Sequence, residues 1–387
     1  AIVRARITVT GASMGGAATW YHASHYPDFW AAAAPFCGYC DYKLWKKPGG
    51  TTFHRSPWEE FSWRARGASY RVENLQHVAL RIIHGQWDRS VGGGVDVEHS
   101  RSMDRKLTKL GIAHLYHEAP ETGHGCRTDE TLPPTIRWLL KQRKVRDPDQ
   151  VSLIVRGLRH NANRWVTVQQ QIRSNRLAGV EASRGADTGS VEVRTRNVSR
   201  LRLGPFSSGG RFELSLDRTL FDQVDFSAAN QFAKAADGAW SVATAEVPRE
   251  QNRSGLSGPL GDIFFEPVIV IYGASGHAEA SHHNATMAHD LVRFFRQWNG
   301  GVHRGGINGD IDVRIPVISD RQMIDLEQGE IEGIGGEDDD AIRVDKNLLD
   351  RANLFLIGDS SSNVAMNRLA DHLPLSIVLS HEPEAQS

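Results

Sequence analysis

A serine, an aspartate and a histidine each stand in a short glycine-rich motif that follows an apolar run. Ser13 lies in GASMGG, Asp88 ends HGQWD, and His124 lies in TGHG. Serine is a weak nucleophile until a neighbouring base removes its proton, and an aspartate that orients the base completes the set. The three residue types together therefore predict attack on a carbonyl carbon and an acyl-enzyme intermediate.

The order along the chain assigns each residue a role. Ser13 would be the nucleophile, His124 the general base and then the general acid, and Asp88 the residue that orients the imidazole. The backbone N–H of Met14 would be one donor to the oxyanion, because the residue after the nucleophile stands directly before a predicted helix. Asp96, further along the same loop as Asp88, is the rival candidate for the acid.

The elements that must position these residues can be predicted from the apolar pattern. Residues 7–10 form a strand that ends at a glycine, and a helix over 15–25 follows, so GxSxG lies at a strand-to-helix turn. Apolar strands over 78–84 and 113–117 precede Asp88 and His124. Because strands alternate with helices, a parallel sheet with helices on its faces is expected.

The pattern changes twice along the chain and predicts three domains. Residues 1–145 carry the α/β pattern and the chemistry. Residues 150–225 alternate apolar and polar positions with period two, which favours a small sandwich of antiparallel strands. Residues 226–387 return to an α/β pattern, with an unbroken apolar strand over 268–272 followed by an amphipathic helix.

Composition narrows the class of protein. A chain of 387 residues with 40 % hydrophobic residues can bury more than one core. Its 45 basic and 46 acidic residues leave a net charge of −1, so no nucleic-acid partner is expected. The chain contains no apolar run near the roughly 18 residues that a membrane-spanning helix needs, and no motif that requires a cofactor or a metal.

The motifs together resemble the catalytic domain of the prolyl oligopeptidase family of α/β-hydrolases. The resemblance rests on residues 7–16 and 27–35, on HGQWD with Val91, and on GHG, and it covers residues 1 to about 142. It implies a serine hydrolase that cleaves peptide or ester bonds, with the serine, aspartate and histidine named above in the family's triad positions. The remainder resembles the carboxy-terminal extension of some large bacterial members, through pieces that include Trp165-Val166 and residues 258–264.

The expected fold is therefore α/β, a partial α/β-hydrolase sheet followed by a β-rich, sandwich-like segment and a second α/β unit. A peptidase is preferred to a carboxylesterase only through the resemblance. A non-catalytic binding or assembly module with a vestigial triad is the alternative from another class. The substrate would be a peptide or a small ester.

The position of Ser13 adds an expectation about the rest of the protein. Only 12 residues precede it, whereas an α/β-hydrolase sheet has several strands before its nucleophile. We therefore expect an upstream domain or a second chain to complete the sheet and to supply the second oxyanion donor. The compartment stays open, since a signal peptide for secretion or periplasmic export would lie in that upstream part.

Several weaker signals have a structural explanation beside the functional one. Three tryptophans in the segment between the second and third strands are candidates for lining a substrate pocket: Trp45, Trp58 and Trp63. The spacing of Cys37 and Cys40 fits a redox or zinc site less well than small buried cysteines, because no second CxxC follows. Residues 273–277 echo a nucleophile turn around Ser275 but lack the closing glycine, so a plain strand-to-helix turn is favoured.

Overall fold

The computed structural model describes residues 3–44, 57–89, 93–185, 189–247, 251, 253–254, 257, 267–301, 315–334 and 343–369. The tryptophan at position 45, Val91 and residues 258–264, all singled out above, lie outside these residues. The chain divides into two compact units, Ala1–Ser257 and Gly258–Ser387.

The first unit begins with a parallel sheet of four strands in the order β1-β2-β3-β4, with helices between them. The elements are β1 (Thr8–Ala12), α1 (Met14–His25), β2 (Ala32–Phe36), α2 (Pro57–Arg66), β3 (Ala79–Gly85), α3 (Glu98–Lys109), β4 (His114–Ala119) and α4 (Leu132–Leu139). This arrangement confirms the α/β class predicted for the fold.

The sequence of β2 explains its place inside the sheet. All five of its residues are buried, because β1 and β3 flank it and helices α1 and α4 pack on it. A parallel strand that is covered on both faces shows a continuous apolar run rather than an alternating one. The main core beside the sheet gathers Trp20 from α1, Leu80 and Ile82 from β3, and Met103 and Leu107 from α3.

A sandwich of two five-stranded sheets completes the first unit. Its strands are β5 (Gln150–Val155), β6 (Ala162–Asn163), β7 (Val166–Gln171), β8 (Ala178–Gly185), β9 (Ser190–Arg196), β10 (Val198–Leu203), β11 (Arg211–Leu216), β12 (Thr219–Asp225), β13 (Asn230–Lys234) and β14 (Trp240–Val242). One sheet has the order β12-β11-β9-β8-β5 and the other β14-β13-β10-β7-β6. The alternate apolar residues of both sheets share a single core, as the period-two pattern requires.

Two features of the sandwich differ from the sequence expectations. Strands β9 and β11 pair in parallel, because the intervening strand β10 belongs to the opposite sheet and the chain returns in the same direction. Strands β13 and β14 also belong to the sandwich, so it continues to Val242, past residue 225 where the sequence placed its end. In β13 only Phe232 is fully buried, which leaves little alternation to detect.

The second unit is a smaller α/β body. It contains β15 (Val268–Tyr272), α5 (Ala278–Gly301), β16 (Val317–Ser319), α6 (Asp320–Gln328), α7 (Lys346–Arg351), β17 (Asn353–Ile357) and α8 (Val364–Leu369). The three strands are parallel in the order β16-β15-β17, and residues 273–277 form the turn between β15 and α5. The buried Asp320 carboxylate accepts hydrogen bonds from the N–H groups of Ala274 and Val364, and so joins two loops.

Within the described part of the chain, no helix combines the length and the apolar character needed to cross a membrane.

A carboxylate ties the two sheets of the sandwich together. Asp217, in the turn between β11 and β12, accepts hydrogen bonds from the backbone and hydroxyl of Thr195, from Lys234 Nζ and from Trp240 Nε1, all at 2.7–2.8 Å. Thr195 lies in one sheet, and Lys234 and Trp240 lie in the other. Burial alone would raise the pKa of Asp217, but these hydrogen bonds outweigh it and hold the pKa below its ordinary value.

We expect Asp217→Ala to lower the free energy of unfolding by about 2 kcal/mol at pH 7, because donors in two sheets lose their acceptor. A carboxyl group with a lowered pKa stabilises the fold above its unfolded pKa and loses this effect as the pH falls. The difference from the parent should therefore shrink below about pH 4. Urea denaturation at several pH values measures it, with the exposed Asp222→Ala as control. Equal losses in both variants would contradict this role.

Candidate active site

The candidate nucleophile stands at a strained turn. Ser13 connects β1 to α1 and has a φ of 57° and a ψ of −116°, a conformation that costs energy for a residue other than glycine. Its N–H donates to Phe36 O at 2.9 Å, and its carbonyl accepts from Ala17 N at 2.9 Å in the first turn of α1. Its side chain makes no capping hydrogen bond to the helix. The turn is thus held by its backbone on both sides while the hydroxyl is left out of the helix cap.

Two glycines of GASMGG are required by close backbone contacts. A Cβ on Gly11 would stand 2.5 Å from Gly15 O, and a Cβ on Gly16 would stand 2.4 Å from Phe36 O and 2.8 Å from Gly38 Cα. Such distances leave no room for any side chain. These contacts let α1 start directly against the carboxyl ends of β1 and β2.

Asp88 and His124 form a hydrogen-bonded pair at the carboxyl ends of the strands, where Ser13 also lies. Asp88 follows β3 and His124 follows β4, and Asp88 Oδ2 lies 2.8 Å from His124 Nδ1. The Asp88 side chain is 1 % exposed, whereas that of His124 is 35 % exposed. A buried acid can orient the ring, and a partly exposed ring can reach a substrate. The rival Asp96 instead accepts from Glu98 N at 3.0 Å, at the start of α3.

The loops that carry this pair are packed directly on one another. A Cβ on Gly85 would lie 2.0 Å from Gly123 O, so the backbones of the two motifs touch. Trp87 N donates to Thr122 O at 2.9 Å. The separation of Asp88 and His124 is therefore set by backbone contacts between HGQWD and TGHG, not by the two side chains alone.

A second histidine supports Asp88 and was missed by the sequence reasoning. His84, fully buried at the end of β3, places Nε2 3.1 Å from Asp88 Oδ2 and 2.9 Å from Val95 O. Its Nδ1 lies 2.7 Å from Ser100 Oγ. Val95 N donates to Asp88 Oδ1 at 3.1 Å. The four-residue spacing between His84 and Asp88 within HGQWD was the available signal.

These hydrogen bonds determine the electrostatics of the pair. Burial alone would raise the pKa of Asp88, but the hydrogen bonds to His84 and His124 outweigh it and the pKa is lowered. Burial alone would lower the pKa of His84, but the Asp88 carboxylate and Val95 O raise it above its ordinary value. Asp88 is thus kept ionised in a buried place, which suits an acid that orients a base.

The cysteines beside the pair are buried and form no disulfide. Cys37 Sγ, an Asp88 carboxylate oxygen and a His124 ring nitrogen lie within 4.8 Å of one another, a set that could ligate a metal. However, hydrogen bonding to Cys126 and burial both raise the pKa of Cys37, which disfavours the thiolate that a metal requires. Nδ1 of His124 is also already engaged by Asp88. The arrangement therefore fits a hydrogen-bonded pair better than a metal site.

A cavity of about 340 Å³ runs along α1, and Met14, the residue after the candidate nucleophile, is one of its lining residues. Its walls include Ala18 on α1 and the rings of Tyr39 and Tyr42. Of the three tryptophans proposed for a substrate pocket, the half-buried Trp63 has its ring 5.7 Å from that of Tyr42. Trp58 lies on α2, and its side chain is outside the described part of the structure, as is the tryptophan at position 45.

Residues 1–141 match the family model described as "Prolyl oligopeptidase family". This match confirms the resemblance inferred from the motifs for that part of the chain and supports a serine hydrolase.

Individual relatives cover limited parts of the molecule. An "Uncharacterized secreted protein" of Arthroderma benhamiae is 31 % identical over 211 residues, which are 50 % of this chain and 22 % of the relative. Dipeptidyl peptidase 4 of Porphyromonas gingivalis is 18 % identical, with a TM-score of 0.32, over 36 % of this chain and 20 % of that one. A thermostable esterase is 26 % identical, with a TM-score of 0.26, over 37 % and 32 %. The chain thus spans about a fifth of the length of the curated relative.

In an NMR titration of the histidine rings, His84 should titrate above 6.5, and in Asp88→Asn it should titrate below 6.5. The reason is that the variant loses the negative charge while the burial remains. Because its folded pKa is raised, His84 stabilises the fold fully below pH 6.5 and loses this effect as the pH rises through the folded pKa. Asp104→Asn is the control, because it removes the same charge beside another histidine, His114, and should leave the titration of His84 unchanged. An unaltered His84 in the variant would exclude the coupling.

Proposed function

We propose that this protein is a serine hydrolase that cleaves peptide or ester bonds through an acyl-enzyme on Ser13. The observation that carries the proposal is the 2.8 Å hydrogen bond between Asp88 and His124 at the edge of the sheet where Ser13 begins α1. The strained backbone of Ser13 supports it, because such strain is retained where it serves function.

The residues suggest a sequence of steps. His124 Nδ1 is held by Asp88, so Nε2 is left to take the proton from the Ser13 hydroxyl as its oxygen attacks the carbonyl carbon. The oxyanion forms beside the start of α1, where the first N–H groups have no partner within the helix, and Met14 N is one such donor. His124 then gives its proton to the leaving group, and water releases the acyl group by the reverse sequence.

The proposed substrate class is a peptide, with a carboxylic ester as the alternative. The family match supports the peptide, whereas the chemistry of Ser13 serves both kinds of bond. The cavity lined by Met14 on α1 is suited to one side chain of the substrate, since Tyr39 and Tyr42 also line it and aromatic rings favour apolar or aromatic partners. We propose that it receives an apolar or aromatic group next to the bond that is cleaved.

A fluorophosphonate probe tests the nucleophile and the base directly. The parent chain should gain the mass of one phosphonyl group. Ser13→Ala should abolish the labelling, and His124→Ala should slow it about 1,000-fold or more, because the serine loses its base. Ser275→Ala removes the serine of the weaker motif and is the matched control, which should label like the parent.

The result separates the two classes of function. Labelling that maps to the Ser13 peptide supports the hydrolase. A Ser13→Ala chain that labels equally would overturn the proposal. A folded parent chain that stays unlabelled would show that these residues alone form no competent nucleophile, and repeating the test with the upstream part added would then separate an incomplete hydrolase from the non-catalytic module. Folding is checked by circular dichroism on the same samples.

Filling the cavity tests the substrate pocket. Ala18 is exposed on α1 and lines the cavity, so Ala18→Phe should occupy space without disturbing the core. We expect KM for phenylacetyl esters to rise about tenfold relative to acetyl esters, because the larger acyl group loses its contacts. Thr108→Phe, at an exposed position of α3, is the control. An equal effect on both esters would contradict this placement of the acyl group.

A further inference from the structure

A second cavity lies in the first unit, between the catalytic part and the β sandwich. It has a volume of about 480 Å³, within the range of small-molecule sites. Its walls come from the start of the chain, from the segment after α4, and from the end of β10 with the turn that follows it. None of the residues assigned above to catalysis lines it.

The walls of this cavity carry an excess of positive charge. Five cationic side chains line it, against the two carboxylates of Asp28 and Asp147: Arg4, Lys144, Arg146, Arg164 and Arg202. Both carboxylates are already engaged. Asp28 Oδ1 lies 2.9 Å from Arg164 Nη1, and Asp147 Oδ2 lies 3.1 Å from Arg184 Nη1. The acids of the cavity therefore do not neutralise its remaining cations.

Arg164 is the most buried cation of the set. Its side chain is 2 % exposed, and it donates to Pro27 O and to His77 O, both at 3.0 Å. Its Nε is also buried, and it has no hydrogen-bond partner in the described part of the chain. The guanidinium is thus held in place by Asp28 and by two carbonyl oxygens, and it brings a positive charge to the wall of the cavity.

Lys144 lies among the other cations of the cavity wall. Its Nζ donates to Asp28 O at 2.7 Å, which holds the half-buried ammonium beside the residue that pairs with Arg164. Burial lowers its pKa, and the neighbouring Arg164, Arg146 and Arg4 lower it further, although the Asp28 carboxylate acts in the opposite direction. Three cations thus act on the Lys144 ammonium, and an anion beside it would offset their effect.

We propose that this cavity binds a small oxyanion with two or more negative charges, of the phosphate or polycarboxylate class. Guanidinium groups match the geometry of both oxyanions, and hydrogen bonds between charged partners are about twice as strong as neutral ones. The size of the cavity suits a phosphorylated metabolite or a di- or tricarboxylate.

Isothermal titration calorimetry on the full chain tests the proposal. Inorganic phosphate and citrate are titrated separately at one fixed ionic strength, with chloride as the background anion. We expect at least one of them to bind, and the double variant Lys144→Gln/Arg146→Gln to weaken it about tenfold or more, since two charged contacts are lost. The double variant Lys141→Gln/Arg143→Gln removes the same charge from exposed positions outside the cavity walls, and is the control.

The two ligands distinguish the two sources of the oxyanion. Preference for phosphate assigns the cavity to a phosphorylated ligand, and preference for citrate assigns it to a carboxylate. No heat of binding with either, or equal weakening by both double variants, would overturn the proposal. Arg164→Lys keeps the positive charge but loses the two-pronged guanidinium that pairs with an oxyanion. The ligand should raise the melting temperature of this variant and of Lys144→Gln/Arg146→Gln less than that of the parent. An unchanged response in the control double variant would support the same site.

Discussion

The hydrogen bond between Asp88 and His124 depends on the parallel pairing of β3 and β4, because neighbouring parallel strands have their carboxyl ends on the same side of the sheet. Asp88 follows β3 and His124 follows the neighbouring β4, so pairing in register brings their loops to one edge. The contact of Gly85 with Gly123 then leaves no space between the loops, and His84 fixes the carboxylate from below. The sheet and the close approach of Gly85 to the backbone of Gly123 therefore set this geometry, and the reacting side chains are placed by it.

The strain at Ser13 is maintained by the same sheet. A positive φ at serine persists only where the surroundings over-determine it. Here the serine N–H is bound to Phe36 O, and Gly16 lets α1 approach Gly38 at the end of β2. Because β2 is fully buried between two strands, it is a rigid support, and the turn cannot relax without moving the centre of the core. The burial of β2 therefore maintains the strained backbone of Ser13.

The sequence predicts those parts of the fold in which a residue pattern is compatible with a single local structure. The strand-to-helix turn around Ser13 and the period-two strands of the sandwich are such patterns, and their bounds agree with the structure within a few residues. The parallel pairing of β9 with β11 depends on which sheet takes β10, and no local pattern records that choice. The role of His84 was not predicted because the turn after β3 brings Asp88 back to it, and the sequence pattern does not show that turn. The strand that contains His84 has the pattern of a buried strand. The assignment of Ser13 and His124 to catalysis stays a prediction.

The join between the catalytic part and the sandwich explains why a charged cavity can be tolerated there. The buried side-chain amide of Asn74 donates through Nδ2 to Ile154 O at 3.0 Å and accepts through Oδ1 from Ile154 N at 2.6 Å, so a side chain of the catalytic part holds the backbone of β5. Arg164 adds an ion pair with Asp28 across the same join. With the two parts held in this way, repulsion among the remaining cations costs stability without separating them. An anion that binds only the joined form would lower that cost and stabilise both parts together by mass action.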